Sequence, residues 1–220
     1  MTGPPAGVFV TGTGTEVGKT VVAAVVARTA ASRGDRVAVF KPAVSGLDDG
    51  GEPDHALLRR AAASRQSDDE IAPYRYGPPV SPHLGAELAG EAIEPARLLE
   101  AAAAAGRDVD LLVVEGVGGF LVPLAPDYLV RDLARELGFS AMIAAPPGLG
   151  TINHTLLTIE SVRGAGLEVA GVVLTPWPEE PGEVERSNRE AVGRLGAVWV
   201  RALPRLDLAE PESWPALGAA

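Results

Sequence analysis

The chain has 220 residues, 46% of them hydrophobic, with a formal net charge of −10 and no cysteine. That length suits one domain over residues 1–220 with a sizeable core, and the acidity argues against nucleic acid as a partner, since backbone binding needs a basic face. The absence of cysteine excludes disulfides, thiolate metal sites and cysteine nucleophiles, and no apolar run reaches the about 18 residues that would span a bilayer. The first residues also lack a basic stretch followed by an apolar one, so a soluble cytoplasmic protein with no membrane partner is expected.

Taken in order, Val8-Phe9-Val10 is an apolar strand, Gly12-Thr13-Gly14-Thr15-Glu16-Val17-Gly18-Lys19-Thr20 a glycine-rich loop, and Val21 to Ala27 a helix that starts near Gly18. Gly34 reads as a helix cap, and Val37 to Phe40 as a strand that delivers Lys41 at its carboxyl end. Pro42 to Pro53 is a loop, after which Asp54 reads as the N-cap of a helix reaching about Ser64. The proline-rich stretch from Pro73 to His83 is irregular. Helices follow over Leu84–Ala89 and Pro95–Ala105, then a strand, Leu111 to Val114, that ends in Glu115 and the loop Gly116-Val117-Gly118-Gly119. Leu129–Leu137, Thr151–Arg163 and Glu183–Leu195 read as helices, and Ala141–Ala145, Val169–Leu174 and Val198–Arg201 as strands. Six strands joined by helix-length crossovers predict a doubly wound, mostly parallel α/β sheet flanked by helices.

The loop after the first strand has the composition of a polyphosphate cradle. Backbone N–H groups turn inward around an anion there, and the following helix adds its positive end. Thr13, Gly14, Thr15, Glu16, Val17 and Gly18 would line it, Lys19 would reach the β- and γ-phosphates, and the Thr20 hydroxyl would meet the Mg2+ that accompanies a nucleoside triphosphate. Five residues separate Gly12 from Gly18 instead of the usual four. Of the 19 basic residues, all but Lys19 and Lys41 are Arg. A compact ammonium retained against that bias points to chemistry that a planar guanidinium cannot do, so Lys41 is a second site candidate. Glu115 and Asp54 share the carboxyl end of the sheet with Thr20, as a hard cation requires; the alternative for Asp54 is a plain helix cap. Glu16, beside the phosphates, is not read as a metal ligand.

The chain resembles the dethiobiotin synthetases. The likeness spans nearly the whole chain and rests on Val10 to Thr20, Lys41-Pro42 with Ser45-Gly46, Ser81-Pro82-His83, Val114 to Gly119, and Leu149-Gly150-Thr151-Ile152-Asn153-His154-Thr155. It implies a P-loop homodimer whose site is shared between protomers. The implied reaction takes 7,8-diaminononanoate, CO2 and magnesium-ATP to dethiobiotin, ADP and phosphate. On this resemblance Lys19, Lys41, Thr15 and Ser45 are catalytic, and Ser45, Val117 and Gly118 face the diamine. Gly150, Thr151, Ile152 and Asn153 open a helix that receives the substrate carboxylate from the neighbouring protomer. The nucleotide base would lie against Thr175 and Pro176 and a loop holding Leu203 and Pro204. Relatives commonly carry Asn where this chain has Thr175, which leaves CTP and other nucleoside triphosphates open beside ATP, and Asn188 stands where some relatives have Tyr at the substrate carboxylate. Two rival classes are an amidoligase of the cobyrinate type and a partition-type nucleotide switch. The first would need a glutaminase cysteine, and the second a lysine where Gly14 stands.

Overall fold

The computed structural model describes residues 6–218. Its centre is a six-stranded sheet in the order β2, β3, β1, β6, β7, β8, with every neighbouring pair parallel. These strands are β1 (Ala6–Gly12), β2 (Val37–Phe40), β3 (Leu111–Glu115), β6 (Ser140–Ala145), β7 (Val169–Trp177) and β8 (Val200–Pro204). A short hairpin, β4 (Pro123–Ala125) with β5 (Tyr128–Leu129), stands apart from the sheet. The helices are α1 (Lys19–Ala31), α2 (Asp54–Ala61), α3 (Asp68–Ile71), α4 (Pro82–Ala89), α5 (Pro95–Ala105), α6 (Val130–Leu137), α7 (Thr151–Gly164) and α8 (Glu183–Gly196).

Alternation along each strand decides which helices cover which face. On one face Val8 and Val10 of β1 join Val39, Val113, Met142 and Val173 under α1 and α2. On the other, Phe9, Phe40, Leu112, Val114, Ile143 and Leu174 pack against α4 to α8. Burial on both faces explains why the strands read as continuous apolar runs. Register then sets the chemistry at one end: Val10 lies beside Glu115, Phe40 beside Val114 and Gly12 beside Ala144. Three strands therefore release their chains at one level, beyond the carboxyl ends, where open α/β sheets place their ligands.

The free edge of β2 is closed by a side chain. The Gln66 amide accepts from the Val39 N–H at 2.9 Å and donates to the Val39 carbonyl at 3.0 Å, imitating a further strand. The Lys41 N–H then donates to the Ile71 carbonyl at 2.8 Å, so α3 fixes the exit of β2.

Several boundaries differ from the sequence reading. Asp54 is the first residue of α2 rather than its cap; Pro53 holds the cap position with no side-chain bond, and the helix stops at Ala61. Helix α1 is capped at Ser32, with Gly34 left-handed two residues further on. The α4 helix begins at Pro82, and α6 at Val130 after the hairpin. Strand β7 runs on through Thr175 to Trp177, and the last strand is Val200–Pro204, so Leu203 and Pro204 are strand residues, not a loop. Helix α3 and the β4–β5 hairpin were not expected. Among the described residues no helix is long and apolar enough to cross a membrane.

Candidate functional site

Gly18 caps α1 in the left-handed conformation (φ +89°), which turns the preceding loop back over the helix end. From Gly14 to Val21 no backbone N–H has an acceptor among the described residues; Thr13 before them donates to the Ala144 carbonyl, and Val22 after them to Gly18. A row of free N–H groups on a helix start is an anion cradle. Side chains are excluded at its ends: a Cβ on Gly12 would lie 2.5 Å from Val17 Cγ2, and one on Gly18 2.5 Å from Thr175 Cγ2. Lys19 folds back so that its Nζ donates to the Gly14 carbonyl at 2.7 Å. Burial lowers its pKa to about 8, opposed by the charge of Glu115.

Behind the cradle the structure brings Thr20, Lys41, Asp54 and Glu115 together. Lys41 Nζ lies 2.5 Å from Glu115 Oε1 and 2.7 Å from Asp54 Oδ2, and the Thr20 hydroxyl donates to the same Glu115 Oε1 at 2.9 Å. Lys41 and Glu115 are 3% and 0% exposed. Burial opposes charge on Lys41, but the pull of Glu115 and Asp54 outweighs it and raises the pKa. Burial likewise opposes charge on Asp54, and Lys41 outweighs it, holding that carboxyl low. For Glu115 burial prevails over the attraction of Lys41 and pushes the carboxyl up.

Glu115 Oε2 is buried without a hydrogen-bond partner. That orphaned oxygen, with the Thr20 hydroxyl and the Asp54 carboxylate, is an all-oxygen donor set that fits Mg2+ sharing its coordination with phosphate oxygens and water. Among the described residues no group of three or more His, Cys, Asp or Glu is placed to hold a metal by itself. A resident all-protein cage is not what these residues form.

The remaining candidates surround this centre. Thr15 approaches the Gly116–Gly119 loop, its Oγ1 lying 3.6 Å from where a Cβ on Gly118 would be. Ser45 lines a cavity of about 260 Å³ with Val44, Gly46, Pro53 and Asp54. Thr175 is 3% exposed and its methyl packs on Gly18, while Pro176 follows it through a cis peptide bond at the surface. Leu203 is 3% exposed in the core beside Val173 and Trp214, so only its neighbour Pro204 is presented outward. Gly150 caps α7 with φ +92°; the Thr151 N–H donates to the Gly148 carbonyl, and its hydroxyl pairs with that of Thr155. No hydrogen bond or ion pair links Gly150–Asn153 to the Lys41 cluster among the described residues. The sequence reading missed that Lys41 grips both expected metal ligands, and that Asn188 is turned inward onto the chain before α7.

A family profile described as an AAA domain matches residues 6–213. The ATP-dependent dethiobiotin synthetase BioD of Rhodococcus erythropolis is 42% identical over 195 residues, spanning 86% of this chain and 84% of its own. The same enzyme of Anaeromyxobacter dehalogenans is 41% identical over 189 residues (86% and 85%), and that of Bacillus subtilis 35% over 193 residues (87% and 84%).

Removing the ammonium tests the cluster. Lys41→Met should cost about 3 kcal/mol at pH 8, because it strands a buried carboxylate. Without its partner Glu115 has a folded pKa well above its unfolded one, so the penalty is full above the folded value and vanishes as pH falls towards the unfolded value. Urea denaturation should therefore find the deficit largest at pH 8 and smallest near pH 5; a deficit independent of pH would contradict the buried pairing.

Proposed function

This chain belongs to the ATP-dependent dethiobiotin synthetase family, and from that membership and the site above we propose that it converts 7,8-diaminononanoate, CO2 and ATP into dethiobiotin, ADP and phosphate. The observation that carries the proposal is the meeting of a free N–H cradle and two lysines with two carboxylates at one end of the sheet. Both species between substrate and product are anions, so catalysis here is positioning and charge stabilisation.

One substrate amine, unprotonated, adds to CO2 and forms a carbamate. Lys41, buried against Glu115 and beside Thr20 behind the cradle, holds the carbamate beside the nucleotide, with Thr15 and Ser45 as hydrogen-bond donors. Nearby ammonium groups also favour the neutral amine by like-charge repulsion. The carbamate oxygen then takes the γ-phosphoryl group in line. Lys19, released from the Gly14 carbonyl, spans the β- and γ-oxygens, and the loop N–H groups from Gly14 to Thr20 receive the remaining charge. The second amine attacks the carbonyl carbon of the mixed anhydride, phosphate leaves, and the five-membered urea closes. Thr20, Asp54 and Glu115 would hold Mg2+, whose contribution is to neutralise phosphate charge. Gly118, against Thr15, and its neighbour Val117 would wall the diamine.

The base would rest on Thr175, Pro176 and the outward Pro204. Leu203, being core, supports that wall from beneath. A hydroxyl whose methyl is committed to Gly18 offers no paired donor and acceptor to adenine, which favours loose base selection, with CTP and other triphosphates accepted beside ATP.

The substrate carboxylate would be received by the start of α7, where the N–H groups of Ile152 and Asn153 have no acceptor among the described residues. In a homodimer that end comes from the partner protomer. Two exposed leucines favour a partner surface there: Leu149, 98% exposed immediately before α7, and Leu157, 56% exposed along it. Sedimentation equilibrium giving a monomer at assay concentrations would contradict this arrangement. A soluble cytoplasmic enzyme, one domain over its length, is the setting that fits the substrates.

The reading is tested by purified protein supplied with diaminononanoate, bicarbonate and Mg-ATP, with dethiobiotin followed by mass spectrometry. Lys19→Ala should abolish product. Lys41→Arg should lower kcat by about a hundredfold or more despite keeping its charge, because the guanidinium is too wide for the slot between Asp54 and Glu115. Near-normal turnover by Lys41→Arg would refute its role. For the base, kcat/KM should favour ATP over CTP by less than about a thousandfold; stronger selectivity would show a dedicated adenine site.

A further inference from the structure

Asn188 sits on α8 between Ser187 and Arg189, yet its side chain is turned inward and the residue is only 7% exposed. Its amide nitrogen donates to the Pro147 carbonyl and to the Gly148 carbonyl, each at 2.9 Å. A primary amide has two N–H groups, so both are committed. The Gly148 carbonyl also accepts the Thr151 N–H, at 3.3 Å. Asn188 thus holds the turn that launches α7.

Little else holds that turn. A Cβ on Gly148 would meet nothing within 4 Å, and Leu149 is 98% exposed. With glycine at 148 and 150 the backbone has wide conformational freedom, and the way this turn is set decides where the first free N–H groups of α7 point.

We propose that Asn188 is a positioning residue for recognition of the substrate's carboxylate tail. It pins Pro147 and Gly148 and so aims the Ile152 and Asn153 N–H groups, without touching substrate itself. This rests on the reading that the start of α7 receives the carboxylate. With both N–H groups committed and only a carbonyl oxygen left, the Asn188 amide would repel a carboxylate rather than bind it, which separates the role from direct contact. Charge-assisted hydrogen bonds lose strength quickly when the donors are misdirected, so the effect on the tail arises from geometry alone.

The test compares diaminononanoate with its methyl ester, which keeps the reacting amines and removes the tail's charge. The wild-type protein should favour the acid in kcat/KM. In Asn188→Leu, close in volume but without donors, that preference should fall by about tenfold, the size expected for two lost hydrogen bonds acting at a distance. The loss should lie in KM for the acid, with kcat and both ester constants little changed. Should the leucine variant fold poorly, Asn188→Ser, smaller and polar, carries the same comparison and should lose preference in the same direction. An acid-over-ester ratio equal to wild type in the folded variants would overturn the proposal while leaving the carboxylate reading intact. A wild-type protein indifferent to esterification would overturn both.

Discussion

Everything at the functional end of this molecule depends on one ammonium placed between two carboxylates. Lys41 is held by Glu115 on β3, by Asp54 at the start of α2 and, through its backbone N–H, by Ile71 at the end of α3. Three segments distant in sequence are thereby tied at one point, and Thr20 joins them by bonding the same Glu115 oxygen. Such a buried pair adds little to stability, because removing two ions from water costs about as much as their attraction returns. On the proposed function, its use would be to keep opposite charges at a site where phosphate charge has to be met.

The electrostatic arrangement also suits a substrate that arrives as an anion. Lys19 with a pKa lowered to about 8 and Lys41 with one raised give the site one labile and one fixed cation. Phosphate oxygens around Lys19 would favour its charged form, so the nucleotide itself completes the positive side of the site. The cradle needs no such adjustment. Gly12 and Gly18 let the loop approach Val17 and Thr175 more closely than any side chain would permit.

How far the sequence disclosed this differs from residue to residue. The cradle was legible because each of its positions demands a residue type, and Lys41 because it departs from the chain's own preference for Arg. Asp54 was ambiguous for a physical reason: an acid before a helix suits a cap and a cation equally. Only the third dimension put Pro53 in the cap position and the Asp54 carboxylate on Lys41. The Ser67 to Glu70 spacing is a capping box that was available in the sequence and passed unread. The last strand was misplaced because Val198 and Trp199 look as apolar as the strand residues Val200, Ala202 and Leu203, while Ala197 is left-handed and the Val198 N–H still bonds back to Gly193 in α8. Asn188 gave no signal, since a polar residue on a polar helix says nothing about which way it turns. The acidic composition, by contrast, spoke only about partners and left the fold untouched.

In the proposed reaction catalysis turns on phosphoryl transfer to an oxygen that came from CO2, and labelled CO2 tests it directly. With CO2 carrying oxygen-18 in both positions, assayed quickly to limit exchange with water, one label should remain in the urea carbonyl of dethiobiotin. The other should leave in the phosphate, as read by mass spectrometry or by the isotope shift in its phosphorus resonance. Phosphate free of label, from a reaction whose dethiobiotin is labelled, would contradict a carbamate as the phosphoryl acceptor and with it the roles given to Lys41 and the cradle.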